Sequence, residues 1–517
     1  MIRALCVGLA LLAGRPAPAQ AAAPPTGAPS AAADLHIVHF NDFHGQIRPR
    51  LIVPARAAPA EERGGFPALE DLVNRRRAEH GDRLWVTNGG DWFQGTPEGN
   101  EDRGRGVLAC FDRLNVTASV LGNHEYDFGE ASLIELLDGA QHPILGANVL
   151  EADGATPRPY VAPFIVRTVR PRAAPDREVR IAIVGLITSD TPQVSTGPFG
   201  AARFAAEATT LRNLWPDVQT AADVVILLTH CGVREDQQLA REFPDVPLIL
   251  GGHSHTLLRK PLRTGKTWMV QSGSHATAVT ELGLRIDPSA SPPALEIVSF
   301  AITELPATEP SSSTQEFLAA HFGHVAERWD QPLGTLRGAQ DRRTGPGSTP
   351  GGSFVAALIR NAGDADVGLM NQGGLRSTLR AGPITRRAVY ELLPFENSVV
   401  TFELTGAQLT EVLARSLRRG SRPLEIDGAT YGYRVVDGER VLEGLAIDGA
   451  PVAAEQSYRV ATNSFVAGGG DGYEMLRSAT KVGETDVMLR DLLLEHLTQH
   501  GEVVLVDDER IRALHED

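Results

Sequence analysis

Short runs of apolar residues, separated by polar and glycine-rich breaks, recur between residue 34 and about residue 305. Continuous apolar runs of this length are typical of strands that are buried on both faces, with helices between them. The runs cover residues 35–40, 84–87, 118–121, 181–187, 224–229, 248–250 and 268–270. Two of the gaps, at 68–78 and 131–137, have helical character. The pattern predicts a layered α/β domain over residues 34–310, with its loops clustered at the strand ends.

The pattern changes between residues 306 and 316, where Glu, Pro, Ser and Thr predominate. Ser313 and Glu316 have the spacing of a capping box, and Leu318, Phe322 and Trp329 then recur at helical spacing. These signals predict a linker helix over residues 311–333. A second α/β domain is expected over residues 334–517, with strands at 367–370, 399–404 and 458–461 and a helix at 408–417.

The composition narrows the function classes. The chain has 517 residues, which favours two domains over one. Hydrophobic residues make up 42% and charged residues 22%, as in globular proteins that build cores. The formal net charge of −15 disfavours a nucleic-acid polymer as partner, because such binders need clustered Lys and Arg. Small anionic substrates stay compatible, since bound divalent metals reverse the local sign of the charge.

The first residues have the features of a bacterial Sec-type signal peptide. Arg3 precedes an apolar stretch at 4–13 that is too short to span a bilayer, and small residues follow it. We expect a signal peptide at 1–21 and a disordered Ala/Pro-rich linker at 22–33; the alternative is an alanine-rich terminus without a targeting role. No later segment has the length of a membrane helix. The sequence thus predicts a periplasmic or secreted protein without a membrane anchor.

Two cysteines, Cys110 and Cys231, lie outside the predicted signal peptide. One falls in a helix-like segment and the other at a strand end, so two buried thiols are favoured over a disulfide. Pairing of the two stays open from the sequence alone.

Polar residues follow five of the predicted strands at the point where each strand ends. They are Asp42, His44, Asp91, Asn123, His230, His253 and His255. Loops beyond the carboxyl ends of strands in α/β sheets converge on one crevice, so these side chains are expected to meet there. Imidazole, carboxylate and amide groups together suit Zn²⁺, Mn²⁺ or Co²⁺. Seven ligands exceed the needs of one tetrahedral ion and favour two ions that share a carboxylate.

Each of these residues alone has a simpler interpretation. A single histidine near a strand end is usually a packed or surface residue, and an Asn-His pair is common in turns. Their joint occurrence after five separate strands favours a common site over coincidence.

The order of these motifs resembles that of the calcineurin-like metallophosphatases. The motifs are Asp-x-His at 42–44, Gly-Asp at 90–91, Gly-Asn-His-Glu at 122–125, a single His at 230 and Gly-His-x-His at 252–255. The longer strings at 39–45, 90–97 and 122–129 are similar to those of the bacterial periplasmic 5′-nucleotidase and UDP-sugar hydrolase group. The resemblance covers nearly all of the chain after the signal. It implies a layered β-sandwich flanked by helices for the first domain.

The resemblance also implies a role for each residue of the cluster. One divalent metal would be held by Asp42, His44 and His255 and the other by Asn123, His230 and His253, with Asp91 bridging the two. Some family members carry Gln or Asn at the position of His255. His124 and Asp127 would not be ligands: His124 donates to the phosphoryl oxygens or to the leaving group, and Asp127 orients its ring.

Three strings in the second half resemble the nucleoside pocket of the same family. They are Asn-Gln-Gly-Gly-Leu-Arg at 371–376, Leu-Pro-Phe at 393–395 and the glycine-rich string at 465–473. The resemblance implies that Phe395 and Phe465 sandwich the base, Arg376 reaches phosphate or ribose, Asp471 accepts the ribose hydroxyls and Asn371 contacts the base edge. Without it, the two phenylalanines would read as core aromatics. The stretch 341–354 lacks the Glu and Asn usual in the family, and a further phosphate-binding arginine would be Arg342 or Arg343.

These residues together predict a metal-dependent hydrolase of nucleotide phosphoesters. Two divalent ions would activate a water, and the enzyme would release nucleoside and phosphate from 5′-nucleotides and also cleave UDP-sugars or related diphosphates. The substrate is expected to lie between the domains, in a monomer. The nearest alternative is a 2′,3′-cyclic-nucleotide 2′-phosphodiesterase with 3′-nucleotidase activity. A thiosulfate-releasing hydrolase and a non-catalytic nucleotide-binding surface protein are more distant alternatives.

Overall fold

Two sheets packed face to face form the first half of the protein. The computed structural model describes residues 33–52, 61–195, 197–338, 347–379, 381–418, 421, 424–506 and 509–514. The first sheet has the strand order Ala294–Glu304, Ala278–Asp287, Leu35–Phe40, Leu84–Asn88, Ala118–Val120 and Ile144–Leu145. The second has the order Leu262–Thr264, Thr267–Val270, Leu248–Leu250, Val224–His230, Val179–Ile187 and Phe164–Val169. The layered sandwich predicted for this half is confirmed.

The strands that carry the predicted ligands run parallel to their neighbours. Leu35–Phe40 pairs in parallel with Leu84–Asn88, and Val224–His230 pairs in parallel with Leu248–Leu250. All residues of Leu35–Phe40 are buried, because one face packs against the second sheet and the other against helices. Parallel strands end at the same edge of a sheet, which brings the loops that follow them together.

Helices cover both outer faces of the sandwich, so that the first half has four layers. They are Phe66–His80, Pro97–Asn100, Arg105–Arg113, Glu130–Leu137, Thr191–Val194, Glu207–Ala221 and Val233–Glu242. Two short ribbons complete this half, Arg50–Ile52 with Glu61–Arg63 and Val149–Leu150 with Arg203–Phe204. Separate apolar cores lie between the sheets and under the helices of each face.

A single helix, Ser312–Trp329, links the two halves and falls within the range 311–333 where a linker helix was expected. Its cap differs from the prediction: the side chain of Ser311, two residues before Ser313, accepts the backbone N–H of Thr314. The capping box placed at Ser313 is therefore wrong, and the helix begins two residues earlier than that motif implied. Phe322 and Val325 face the core of the first half, where burial of apolar area stabilises the helix.

The second half is built on a mixed sheet with the order Leu424–Asp427, Val367–Asn371, Ser457–Asn463, Ser398–Thr405 and Thr480–Met488. Two smaller sheets flank it: Gly382–Thr385, Pro332–Arg337 and Glu502–Val504 form one, and Ala450–Pro451, Glu439–Ile447, Ala429–Val436 and Ile511–Ala513 the other. Its α-helices are Pro350–Ala362, Arg386–Leu392, Gly406–Leu417, Ser464–Ala467 and Leu489–His500. The α/β class predicted for this half is confirmed.

An ion cluster joins the two halves beside the site. Arg387, on the helix Arg386–Leu392, donates to Glu98 of the first half and to Asp330 at the end of the linker helix. Arg48 contacts both of these acids as well, at 3.1 Å from Glu98 and 2.9 Å from Asp330. Glu98 is buried, so its charge needs these partners. The cluster holds the second half against the first with a cavity between them.

Cys110 and Cys231 are both buried and unbonded to each other, as favoured from the sequence. Among the described helices, none is long and apolar enough to cross a bilayer. The predicted signal peptide at 1–21, the predicted linker up to residue 32, and Arg342 and Arg343 lie outside the described residues.

Candidate active site

The seven predicted ligands lie together at one edge of the sandwich. Ligand atoms of Asp42, His44, Asp91 and His255 lie within 4.8 Å of one another, and so do those of Asp91, His230 and His253. Asn123 joins the second group, since its Oδ1 is 3.0 Å from His253 Nδ1 and 3.2 Å from His230 Nε2. Asp91 belongs to both groups. The structure thus brings the predicted residues into two adjacent groups with one shared carboxylate.

Both sheets contribute to this cluster. Asp42, His44, Asp91 and Asn123 follow strands of the first sheet, and His230, His253 and His255 end or follow strands of the second. The site therefore spans the junction of the two sheets rather than the crevice of a single sheet. Each side chain lies at or after the carboxyl end of a strand whose residues are all buried.

Five of the seven residues have a left-handed backbone, which non-glycine residues rarely adopt. They are Asp42, His44, Asp91, His253 and His255, with φ between 51° and 76°. Such strain persists where the surrounding structure dictates it, and it concentrates at functional sites. Glycine is required next to them: a Cβ on Gly122 would lie 2.2 Å from Asp91 Oδ1. The backbone of these loops is shaped around the cluster.

Backbone carbonyls orient two of the imidazole rings. His44 Nδ1 donates to the carbonyl of Gln94, and His230 Nδ1 donates to the carbonyl of Gly89, both at 2.7 Å. These bonds place the proton on Nδ1 and leave Nε2 of each ring to face the cluster. His44 Nε2 lies 3.0 Å from His255 Nε2. Two ring nitrogens that face each other at this distance suit a shared cation.

The donor set fits divalent metal ions. Asp42 Oδ1 is buried, accepts no hydrogen bond from the described residues and lies 3.1 Å from His255 Nε2. Burial raises the pKa of Asp42, whereas for Asp91 the charges of His230 and His124 outweigh burial and hold the pKa well below its ordinary value. Buried carboxylates among several imidazoles are the expected surroundings of Zn²⁺, Mn²⁺ or Co²⁺.

His124 and Asp127 form a pair beside the ligand groups. His124 Nδ1 donates to Asp127 Oδ2 at 2.6 Å, and Ser195 Oγ donates to Asp127 Oδ1 at 2.7 Å. Burial lowers the pKa of His124, but the charges of Asp127 and Asp91 outweigh burial, so the pKa is raised. The pair therefore favours a protonated imidazole with Nε2 as its remaining donor.

Glu125 supports the loops of the cluster. The sequence shows it as the last residue of the Gly-Asn-His-Glu motif, but gives no function for it. One carboxylate oxygen accepts the N–H groups of Asp91 and Gly122, at 3.0 and 2.6 Å, and the other accepts that of Trp92 at 2.7 Å. Burial and the charge of Asp91 raise its pKa. Glu125 thus ties together the loops that carry Asp91 and Asn123.

Replacing Glu125 by glutamine is expected to weaken metal binding or activity by about 10- to 100-fold, the usual effect of losing a partner that orients ligands. The amide nitrogen would face N–H donors, so one of the two loops would shift. Metal titration and kcat measure the effect. Glu130→Gln is the matched control, since Glu130 is also buried but contacts Arg158 and Tyr160 instead. Metal affinity and kcat that both equal those of wild type in Glu125→Gln would contradict the role.

A cavity of about 470 Å³ connects this cluster to the second half. Its lining includes Asp91, Asn123, His124, Asp127, His253 and His255 from the first half. From the second half come all five residues predicted to bind nucleotide, Asn371, Arg376, Phe395, Phe465 and Asp471. Four of the seven predicted metal ligands and all five predicted substrate residues thus border one space, of a size that suits a small-molecule ligand.

Contacts within the cavity preorganise the predicted substrate residues. Asn371 donates to Asp471 at 2.8 Å and accepts from Asn463 at 2.9 Å. Phe395 stacks on His124 with ring centroids 5.7 Å apart, and the guanidinium of Arg376 lies 5.7 Å from the Phe395 ring centroid. Phe395 and Arg376 therefore reach across from the second half to the chemistry of the first.

Arg50 and His275 lie beside the cluster, and no sequence motif had indicated them. Arg50 donates to the backbone carbonyl of Arg376, 326 residues away in the chain. The ring of His275 lies 4.9 Å from that of His44, and its backbone N–H donates to the carbonyl of Asp42 at 2.7 Å. The left-handed φ of 59° at His275 is the structural sign that it belongs to the site.

The sequence matches the calcineurin-like phosphoesterase family over residues 35–257 and the 5′-nucleotidase C-terminal domain over residues 325–478. Residues 35–257 belong to the calcineurin-like phosphoesterases, and residues 325–478 form a 5′-nucleotidase C-terminal domain. It is 27% identical to the "Probable 5′-nucleotidase" of Treponema pallidum, covering 97% of this chain and 96% of that one. This phosphoesterase therefore aligns with that relative over nearly its whole length.

Two solved structures share the fold of this phosphoesterase. The 5′-nucleotidase precursor of Thermus thermophilus superposes with a TM-score of 0.80 at 25% identity, covering 93% of this chain and all of that one (100%). The sulfate thiohydrolase SoxB of Thermus thermophilus superposes with a TM-score of 0.77 at 20% identity, covering 94% and 97%. The second likeness shows the fold alone.

Proposed function

We propose that this phosphoesterase hydrolyses nucleotide phosphoesters and releases nucleoside and phosphate from 5′-nucleotides. The observation that carries the proposal is the single cavity in which the metal-ligand cluster and the aromatic nucleoside residues face each other. UDP-sugars and other nucleoside diphosphate derivatives are further substrates under this proposal. The aromatic rings accept any base, and Asp471 suits vicinal hydroxyls.

The proposed cofactors are two divalent ions, Zn²⁺, Mn²⁺ or Co²⁺, with the residue assignments of the family. Asp42, His44 and His255 would hold one ion, Asn123, His230 and His253 would hold the other, and Asp91 would be shared by both. Such ions neutralise charge on the phosphoryl group and supply a nucleophile at neutral pH. The position of His255 in the first group supports its assignment.

The protein side chains perform the rest of the chemistry. Protonated His124 donates from Nε2 to the phosphoryl oxygens or to the departing oxygen, and Asp127 keeps the ring oriented and charged. Arg376 extends from the Phe395 ring to within 3.3 Å of His44 Nε2, so it reaches both the nucleotide and the reacting phosphoryl group. Closure of the two halves over the substrate excludes water from this space.

The aromatic pair favours a nucleotide over the rival substrates. A fold shared with both a 5′-nucleotidase and a sulfate thiohydrolase does not choose between these substrates. Phe395 and Phe465 border the cavity from the second half, where a base would stack. The complete ligand groups and the His124–Asp127 pair disfavour a non-catalytic binding protein.

The further parts of the proposal concern organisation and location. We place the metallophosphatase domain at 34–310, the linker helix at 311–333 and the substrate-binding domain at 334–517, in a monomer. A signal peptide at 1–21 would export the protein to the periplasm or beyond.

Phosphate release from AMP, ATP, UDP-glucose and 2′,3′-cyclic AMP tests the function directly. The reactions are run after chelation and after Mn²⁺, Co²⁺ or Zn²⁺ has been restored. AMP turnover that depends on added metal is the expected result. Preference for the cyclic substrate would favour the phosphodiesterase alternative, and activity that survives exhaustive chelation would contradict the metal mechanism.

Phe465→Ala is expected to raise the KM for AMP roughly tenfold or more, because stacking of one base on an aromatic ring contributes about 1–3 kcal/mol. The substitution leaves the ligand groups in place, so kcat should fall less than kcat/KM. Phe354→Ala is the matched control, since Phe354 lies in the same half but packs against His496. Equal KM values for the two variants would contradict the assignment of Phe465 to the base-binding pocket.

A further inference from the structure

A second, smaller cleft lies on the other side of His255 from the nucleotide cavity. Its volume is about 180 Å³, and its lining includes Arg50, His255, Ser274, His275 and Arg376. Arg376 and His255 also border the nucleotide cavity, so the two spaces share one wall. The cleft is thus adjacent to the proposed metal ligands, but the predicted base-binding residues do not line it.

The cleft has a positive lining. Two guanidinium groups border it, and none of its described lining residues is acidic. After burial, the charge of Arg50 is the largest influence that keeps the pKa of His275 well below its ordinary value, and Arg376 acts in the same direction. A partly buried space with two fixed cations attracts an anion more strongly than open solvent does.

The walls of the cleft are held in place. Arg50 lies on the strand Arg50–Ile52, which pairs with Glu61–Arg63, and its guanidinium donates to the carbonyl of Arg376. His275 Nδ1 lies 2.7 Å from Ser274 Oγ, and the backbone N–H of His275 donates to the backbone carbonyl of Asp42. The groups that would contact a ligand are therefore preorganised, which lowers the entropic cost of binding.

We propose that this cleft is a second oxyanion subsite, in which Arg50, His275 and Arg376 receive a phosphoryl group beside the metal-bound one. The proposal rests on the proposed function, because it places a second phosphate next to the reacting phosphate. Guanidinium groups bind phosphate through charge-assisted hydrogen bonds and suit its tetrahedral oxygens.

The oxyanion has two sources. Inorganic phosphate released by hydrolysis would occupy the cleft after it leaves the ligand groups. A phosphoryl group of a nucleoside diphosphate that extends past the ligand groups would occupy it during turnover. Both sources present the same chemistry to Arg50, and the experiment separates them.

Inhibition by inorganic phosphate tests the first source on the metal-loaded enzyme with AMP as substrate. If the enzyme binds one phosphate, the slope of the double-reciprocal plot of rate against AMP concentration rises linearly with phosphate concentration. If it binds two, a plot of this slope against phosphate concentration curves upward. We expect curvature in wild type and a straight line in Arg50→Gln, whose second-site affinity should fall about 10- to 100-fold with the loss of a charged donor. A linear slope in wild type would overturn this source.

Two variants guard against indirect effects. Arg48→Gln is the matched control: Arg48 is a neighbouring arginine that contacts Glu98 and Asp330 and does not line the cleft, so curvature should persist. His275→Asn removes the ring at a position where asparagine tolerates the left-handed backbone, without touching the Arg50–Arg376 contact. Curvature retained in both Arg50→Gln and His275→Asn would overturn the proposal.

The ratio of KM for ADP to KM for AMP tests the second source. If this ratio rises in Arg50→Gln and phosphate inhibition of wild type is linear, the subsite binds a phosphoryl group of the substrate and not released phosphate. An unchanged ratio together with unaltered phosphate inhibition overturns the subsite altogether. Equilibrium dialysis with radiolabelled phosphate counts bound phosphate without turnover: two per wild-type chain and one per Arg50→Gln chain are expected. The subsite is thus tested even if nucleotides prove not to be substrates.

Discussion

Asp91→Asn is expected to lower kcat/KM for nucleotides by about a thousandfold or more, together with a loss of bound metal. Within the described part of the chain, Asp91 alone belongs to both ligand groups. Without its charge the group of Asn123, His230 and His253 contains no carboxylate, and Asp42 of the other group is the one carboxylate left among the proposed ligands to offset the repulsion between two adjacent cations. The lost electrostatic stabilisation is worth several kcal/mol at the transition state.

Metal content by elemental analysis and AMP turnover at saturating Mn²⁺ measure this effect. Asp34→Asn is the matched control, because Asp34 is a buried aspartate next to the other end of the strand Leu35–Phe40. Its carboxylate accepts the backbone N–H groups of Arg172 and Ile286. The control should keep both metals. An Asp91→Asn protein with full metal content and near-normal kcat would exclude a bridging role.

The strands of the first half were predictable because they are buried on both faces. The runs at 35–40 and 248–250 match the observed strands Leu35–Phe40 and Leu248–Leu250 at both ends. Apolar runs locate such strands, since no residue of the strand faces water. The predicted run at 181–187 starts two residues after the observed strand Val179–Ile187. Val179 is buried but Arg180 is exposed, so the continuous apolar run begins only at residue 181.

The long hairpin of Ala278–Asp287 and Ala294–Glu304 was not predicted, although it forms the edge of the first sheet. Its outer strand is partly exposed and carries Glu296 among apolar residues, so it shows no continuous apolar run. Nor could apolar runs assign strands to two sheets, because pairing depends on contacts between distant segments. The position of the site across both sheets therefore emerged only from the structure.

Sequence motifs identified the ligand cluster, but the residues that surround and support it could be identified only from tertiary contacts. Asp42, Asp91 and His253 were predicted from loops after strands, and the structure adds the left-handed backbone that holds them. Arg50 and His275 lie in no recognised motif, and their contacts join segments more than 200 residues apart. Residues of this kind become visible only when tertiary contacts are known.

His124→Ala is expected to lower kcat about 10²- to 10⁴-fold, the usual contribution of a positioned proton donor, with little change in metal content. His124 belongs to neither ligand group, and its side chain contacts Asp127 and Phe395 instead. Its backbone N–H, which donates to Asp91 Oδ1 at 3.1 Å, is retained in alanine. The ligand groups should therefore survive the substitution while the donor to the phosphoryl oxygens is lost.

His142→Ala separates this chemical role from the general cost of removing a buried histidine. His142 is also buried and also contacts an aspartate, Asp112, at 3.1 Å, but it lies outside the cavity. Both substitutions should lower the melting temperature, because each removes one hydrogen-bond partner of a partly buried carboxylate. Only His124→Ala should lower kcat by orders of magnitude. Loss of metal in His124→Ala, or an equal fall of kcat in His142→Ala, would show that His124 acts through the structure and not on the substrate.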